Sequence, residues 1–386
     1  MSESSRPVAQ CIVVLSSQLI TTLSALAYLR WRGIRGTRLH VVSPYRDEFS
    51  HSTKAFQPLL RDLASQDGHQ CQFIQIPPDQ TRVLQLSAGD SLLIRSEPLK
   101  CSLLLLPRLD DREGQRMLLA YPASEVVELG ESIGVETRLY SDQAQRKRSK
   151  VLEVVNCSEV IPSVRQDPLL PFDRPVEPLR LQAMLDICAN FRSALLDDEA
   201  ISRKHQPGVM LCLPYLRVPK WHVRWRLFGR SFGWRRTPGI ANSAYFIRAI
   251  SSALRHLRAD APLWVQAHPK NEAHYSLVQQ LLNPLNQGRS LELFSSDAPL
   301  EVRLSSGWSR EGSGPLNVLG FGTNLLAAAI FLAPHHRGVA LCQPADEGWW
   351  RDCSDQWIHR REWRRSQHVD ALITNLLDAL DQLQAQ

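Results

Sequence analysis

Short apolar, β-rich runs alternate with stretches of helical spacing along the first half of the chain, and this alternation limits the fold more than any other feature. CIVVL at 11–15 is followed by SSQLITTLSALAYLRWRG, which offers serines to cap a helix and Gly33 to end it. RLHVVSP, a helical stretch over 55–64, QCQFIQIP, SLLLLP and SEVVEL continue the pattern. Apolar runs of this kind are buried on both faces. They predict a parallel sheet with helices on either side, hence a Rossmann-like first domain over 1–165.

The segment IPSVRQDPLLPFDRPVE (161–177) carries four prolines and little periodicity and reads as a linker. After it the pattern restarts. GVMLCLP, APLWVQAHP, SLELF and PLNVLGFG read as strands, with helices over 244–257 and 274–282, predicting a second Rossmann-like domain over 178–386. A length of 386 residues suits two domains. Two Rossmann-like domains joined by a linker describe the GT-B α/β architecture, with its site in an interdomain cleft. Some epimerases and periplasmic binding proteins share that arrangement, so architecture alone does not choose a function.

Composition narrows the classes. Hydrophobic residues make up 44% and charged residues 22%, the balance of a globular chain. The net charge of +6 is not gathered into one run; it fits an anionic ligand or surface, and no nucleic-acid partner is expected. Eight cysteines without a CxxC pair read as reduced core residues, with neither a zinc site nor a disulfide framework. MSESSRPVAQ does not read as a signal peptide, and NLLAAAIFLAP (324–334) falls short of the ~18 apolar residues a span requires and reads as a buried helix. The expected location is therefore cytoplasmic.

Ligands of open α/β sheets gather where strands end and helices begin. In WVQAHPKNE, Pro269 suits a first helical turn, so His268 should project from a strand-to-helix turn, able to bind a phosphate or protonate it as it leaves. A capping or loop histidine is the alternative. In NVLGFGTNLLAAA, Gly320 and Gly322 let backbone approach a ligand, and Thr323 and Asn324 open a helix that could hold a phosphate; a glycine turn with a threonine cap reads the same way. In SSDAPLEVRL, Glu301 could accept ribose hydroxyls or lie on the surface. In SEVVELGESIGVE, Glu128 ends a strand and Glu131 lies in a glycine turn, where a general base or a solvated carboxylate would sit.

In their order these four stretches resemble the bacterial sialyltransferases of GT-B type, including the polysialyltransferase and lipooligosaccharide sialyltransferase groups. Those enzymes carry an acid-acid-Gly motif in the first domain, then His-Pro and Ser-Ser motifs in the second. Ala298-Pro299-Leu300-Glu301 takes the place of their Pro-x-Glu element, and Ser16, Ser17 and Gln18 look like their opening turn, which faces the sugar. The resemblance implies an inverting, metal-independent transfer of sialic acid, or a related nonulosonic acid, from a CMP donor to a glycan, with no cofactor. Glu131 would be the base, His268 with Pro269 would meet the CMP phosphate, Thr323, Asn324 and Gly322 would hold it, and Glu301 would grip the ribose. The chain departs from the family in Gly130-Glu131-Ser132, which has one acid, leaving Glu128 a rival base, and in Thr323-Asn324 for Ser-Ser. A GT-B transferase using another nucleotide sugar, or a catalytically silent glycan- or membrane-binding homologue, shares these features.

Two segments, 214–239 and 349–365, interleave arginines with tryptophans. Such composition can bind nucleic acid by phosphate contact and stacking, rest on an anionic membrane or bind an acidic glycan, and a loop with a partly buried aromatic anchor reads the same way. Membrane or acceptor contact is preferred because the first segment follows the first strand of the second domain, the former implying a peripheral position at the membrane's inner face. A closing amphipathic helix is expected over 369–383.

Overall fold

In a computed structural model, the structure describes residues 10–16, 19–44, 56–76, 101–107, 114, 117, 121, 123–129, 160–161, 178–196, 208–218, 222–227, 230–235, 239–240, 243–255, 259–286, 288–294, 302–304, 316–321, 329, 332 and 338–341. Six parallel strands form the first sheet: β1 (Cys11–Leu15), β2 (Arg38–Pro44), β3 (Gln70–Ile76), β4 (Cys101–Leu106), β5 (Ala123–Glu128) and β6 (Val160–Ile161). Their order is β3-β2-β1-β4-β5-β6, which reverses direction beside β1 as in doubly wound folds. The residues of β1 show why helices must cover both faces. Ile12 and Val14 enter one apolar cluster, Val13 and Leu15 another, and all four are buried.

Helix α1 (Leu19–Trp31) returns the chain to β2, passing through Gly33 at φ +66°, a conformation that favours glycine. Helix α2 spans Gln57–Gln66, two residues later than the spacing suggested. A start at 55 would make Pro58 the first residue required to donate an intrahelical N–H, which proline lacks; with Phe56 as N-cap, Pro58 falls in the tolerant first turn.

The second sheet contains β7 (Gly208–Cys212), β10 (Leu263–Gln266), β11 (Leu291–Phe294), β12 (Leu316–Gly320) and β13 (Gly338–Leu341), all parallel, in the order β11-β10-β7-β12-β13. Gly208 allows the close approach of β10: a Cβ there would stand 2.7 Å from the Pro262 carbonyl oxygen. The chain thus has the expected fold, two Rossmann-like α/β sheets in succession in the GT-B order.

Two elements lay outside the sequence expectation. Between β7 and α4 (Ser243–Leu254) the chain forms an antiparallel ribbon of β8 (His222–Leu227) and β9 (Arg230–Arg235). After the proline-rich segment comes a 19-residue helix, α3 (Pro178–Leu196), which lies against α1 and α2; its Asn190 amide donates to Gln66 Oε1 at 2.9 Å, and Arg192 Nη1 donates to the Leu332 carbonyl at 3.3 Å. Met184, Ile187 and Phe191 of α3 share one apolar cluster with Ile12 and Val14 of the first sheet and with Met210, Cys212 and Val318 of the second. Residues 178–196 therefore join the two cores.

Among the described residues no helix is long and apolar enough to cross a membrane, and five cysteines are free thiols. Burial pushes Cys71 up to about 11 and Cys101 up to about 12, so neither is a thiolate at neutral pH.

At the opposite edge of the first sheet, His69 links the α2–β3 turn to Thr37. Its Nδ1 lies 2.8 Å from Thr37 Oγ1 and accepts the Thr37 N–H at 3.4 Å, beside an Arg30–Asp67 ion pair of 2.9 Å. A ring nitrogen that accepts an N–H cannot also carry a proton, so this contact needs the neutral ring. Burial lowers the His69 pKa from 6.5, with Asp67 opposing and Arg30 adding to the shift. Below that ordinary value the unfolded chain binds a proton the folded chain resists, so stability is full above neutrality and falls as pH drops through 6.5. Urea midpoints measured from pH 7.5 to 5 should decline in the wild type and decline less in His69→Asn, which keeps an acceptor without titrating; parallel curves would remove His69 as the cause.

Candidate functional site

Of the sequence-derived residues, Ser16 and Glu128 lie at the carboxyl edge of the first sheet and His268 and Pro269 at that of the second. In the first sheet, Ser16 follows β1 and Glu128 ends β5, paired with Leu106 of β4. Ser16 is buried. Its N–H donates to the Val42 carbonyl at 2.9 Å and its hydroxyl lies 2.6 Å from Thr22 Oγ1, so it ties the end of β1 to both β2 and α1. Ser17, Gln18, Glu131, Glu301, Gly322, Thr323 and Asn324 lie outside the described residues.

His268 is the candidate at the carboxyl edge of the second sheet. It follows β10 by two residues and is half-buried. The chain does not enter an α-helix at Pro269 as expected. It forms a 3₁₀ turn over Pro269–His274 first, with the Asn271 N–H donating to the His268 carbonyl at 2.8 Å, and α5 (Tyr275–Leu282) follows. The tighter turn coincides with a second use of Asn271. Fully buried, its Oδ1 accepts the Leu216 N–H at 2.9 Å while its Nδ2 donates to the Leu216 carbonyl at 2.7 Å, as a neighbouring strand would. That pair fixes the loop leaving β7 against the loop leaving β10. Tyr215, 52% exposed, is thereby set edge-on to His268, ring centroids 5.7 Å apart at 63°.

The neighbouring strand ends complete this edge. Gly320 ends β12, and the next residue, Phe321, is buried against Phe246 of α4 at 5.3 Å and 80°. At the end of β11, Phe294 stacks on Trp264 at 5.8 Å and 7°, the Arg303 guanidinium lies 4.5 Å from the Phe294 ring, and Tyr275 OH donates to the Phe294 carbonyl at 2.8 Å. Imidazole, phenol and guanidinium groups thus occur along the carboxyl edge of one parallel sheet, where doubly wound folds hold anionic ligands. An imidazole placed so can donate a hydrogen bond to a phosphate oxygen or give up a proton.

Tyr215, Asn271 and Arg303 carry no sequence motif. The signal that could have found Asn271 is its position three residues after His268, where a polar side chain at the start of a turn often meets backbone.

No protein-family model matches the chain, and no curated protein matches it. Among solved structures it is similar to a protein assigned as a UDP-N-acetylglucosamine 2-epimerase from Listeria monocytogenes, at 10% identity over 97% of this chain and 88% of that one, with a TM-score of 0.42. It is also similar to a glycosyltransferase from Rickettsia africae, at 8% identity, 96% and 94% coverage and TM-score 0.33. A third similarity is to a Glycyrrhiza uralensis protein complexed with glycyrrhetinic acid 3-O-monoglucuronide, at 9% identity, 98% and 96% coverage and TM-score 0.36.

Proposed function

We propose that the chain is an inverting, metal-independent glycosyltransferase that moves sialic acid or a related nonulosonic acid from its CMP donor to a glycan. The observation that carries this reading is His268, held by the Asn271 clamp and Tyr215 at the carboxyl edge of the second Rossmann-like sheet. In this reading the His268 imidazole meets the departing CMP phosphate, compensating negative charge as the glycosidic bond breaks. Glu131, with Glu128 as its rival, takes the proton of the acceptor hydroxyl, and Glu301, Thr323 and Asn324 hold ribose and phosphate in the roles the resemblance gives them. A different nucleotide sugar would use the same histidine.

The ribbon β8–β9 supports an acceptor or membrane contact, at the cytoplasmic face, as part of this proposal. Its register pairs Val223 with Trp234 and Trp225 with Phe232, while His222, Arg224 and Arg226 pair with Arg235, Gly233 and Ser231. Because successive strand residues alternate between faces, the positions of Val223, Trp225, Phe232 and Trp234 share one side of the ribbon with Leu227 and Arg230, and those of His222, Arg224, Arg226 and Arg235 share the other. No acidic residue occurs anywhere in 214–239. This also favours a second reading, a silent glycan- or membrane-binding homologue, which would keep the ribbon and lack transfer.

Thermal shift with millimolar CMP, UMP, UDP and GDP, together with release of CMP from an activated donor, separates these readings. Stabilisation by CMP above the others, with turnover, is expected; stabilisation by UDP or GDP alone would replace the donor, and nucleotide binding without turnover would select the silent homologue. Arg224→Glu with Arg226→Glu should weaken acceptor or anionic-vesicle binding while leaving the CMP shift in place. If it weakens neither, the ribbon has no part in the contact.

A further inference from the structure

One buried polar side chain at this edge has only half of its amide paired among the described residues. Gln266, the last residue of β10, is 5% exposed. Its Nε2 donates to the carbonyl of the next residue, Ala267, at 3.3 Å, and its Oε1 has no hydrogen-bond partner among the described residues. Turning the amide over would set its oxygen against the Ala267 carbonyl and leave the nitrogen unpaired instead. A buried amide oxygen without a donor is unfavourable, and leucine or methionine of similar size would fill the position without that penalty.

The position has a direction. In register, Gln266 lies between Cys212 of β7 and Phe294 of β11, and Cys212 is followed across the sheet by Gly320, which has no side chain. Alternation along β10 sends Leu263 and Val265 into the cluster that also holds Ala267, whereas Trp264 packs against the opposite cluster; Gln266 therefore shares the face of Trp264. It stands two residues before His268, at the edge where ligands of such sheets collect.

We propose that Gln266 is a ligand-reading residue of the His268 site, its amide oxygen accepting an N–H or O–H of the nucleotide bound there. The proposal rests on the reading of that turn as a nucleotide site and adds a determinant of which nucleotide it takes. A ligand that presents a hydrogen-bond donor to Gln266 pairs the buried oxygen, and one that presents only acceptors leaves it unpaired, which is how a buried polar group discriminates.

Calorimetric titration of wild type, Gln266→Leu and Gln266→Met with CMP, UMP and GMP, alongside melting curves, tests this. Both variants should melt at or above the wild-type temperature, since they remove an unpaired polar group, and should bind the preferred nucleotide at least tenfold more weakly. Unchanged affinity in both variants overturns the proposal and leaves the nucleotide site standing. Loss of the folded state in both also overturns it, by making the amide a structural group. If CMP fails to bind while another nucleotide binds and loses affinity in the variants, the CMP reading falls and Gln266 stands. If no nucleotide binds the wild type, both fall.

Discussion

His268→Ala is expected to lower kcat for transfer from a CMP-activated donor by about 10²- to 10⁴-fold, the range over which a positioned proton donor accelerates a reaction. Its melting temperature should stay near that of the wild type. The imidazole is half-buried beside an exposed tyrosine, and the bond that shapes the turn is accepted by the His268 backbone carbonyl, which alanine keeps. The effect should shrink for a donor whose leaving group departs without protonation, because the histidine then has less to contribute. Steady-state rates with the natural and the activated donor provide the check. A change below threefold in a folded variant would remove His268 from the chemistry. An equal loss with both donors would leave it a binding residue that touches the phosphate without supplying a proton.

The central strands were legible because each is apolar along nearly its whole length. CIVVL, CSLLLL and GVMLC are buried at almost every position, and a run covered from both sides has little freedom in composition. Helix α3 was not legible, since proline-rich sequence precedes it and apolar residues such as Leu185 and Ala189 lie outside the stripe of buried Met184, Ile187, Cys188, Phe191 and Leu195, which blurs the period of 3.6 in the sequence. The ribbon was hidden for a related reason. Basic and aromatic residues alternate there as VRWRL and SFGWR, a composition that fits a binding loop as well as a strand of period two.

In the candidate site, the His-Pro motif points to a turn at the end of a strand but says nothing about what holds that turn. A motif records residues that meet a ligand, whereas Asn271 and Tyr215 act through loops that only the fold brings together. Leu216 and Asn271 are 55 residues apart in sequence and within hydrogen-bond distance in space. Gln266 stands two residues before His268 and carries no signal of its own, because a glutamine ending a strand looks solvated until its burial is known.

Asn271→Ala should be the most damaging single change at this edge for stability. The side chain satisfies both the N–H and the carbonyl of Leu216, which is itself 1% exposed, so truncation strands a buried donor and a buried acceptor at once. At about 1–3 kcal/mol for each group left unpaired, the expected loss is roughly 3 kcal/mol, without counting the space the side chain vacates. For domains of this size that corresponds to a fall on the order of 5–10 °C in Tm. Asn271→Asp should do no better. One carboxylate oxygen can still accept the Leu216 N–H, but the other replaces a donor 2.7 Å from a carbonyl oxygen and meets it with like charge. Asn271→Ser, too short to reach both groups, should fall with them. Melting curves on the three variants decide the point: shifts under 1 °C would mean that the β7 loop is held by other contacts. Where the variants remain folded, Leu216 and its neighbour Tyr215 lose their tether to the His268 turn, so donor affinity should weaken more than in Tyr215→Ala, which removes the ring and leaves the clamp.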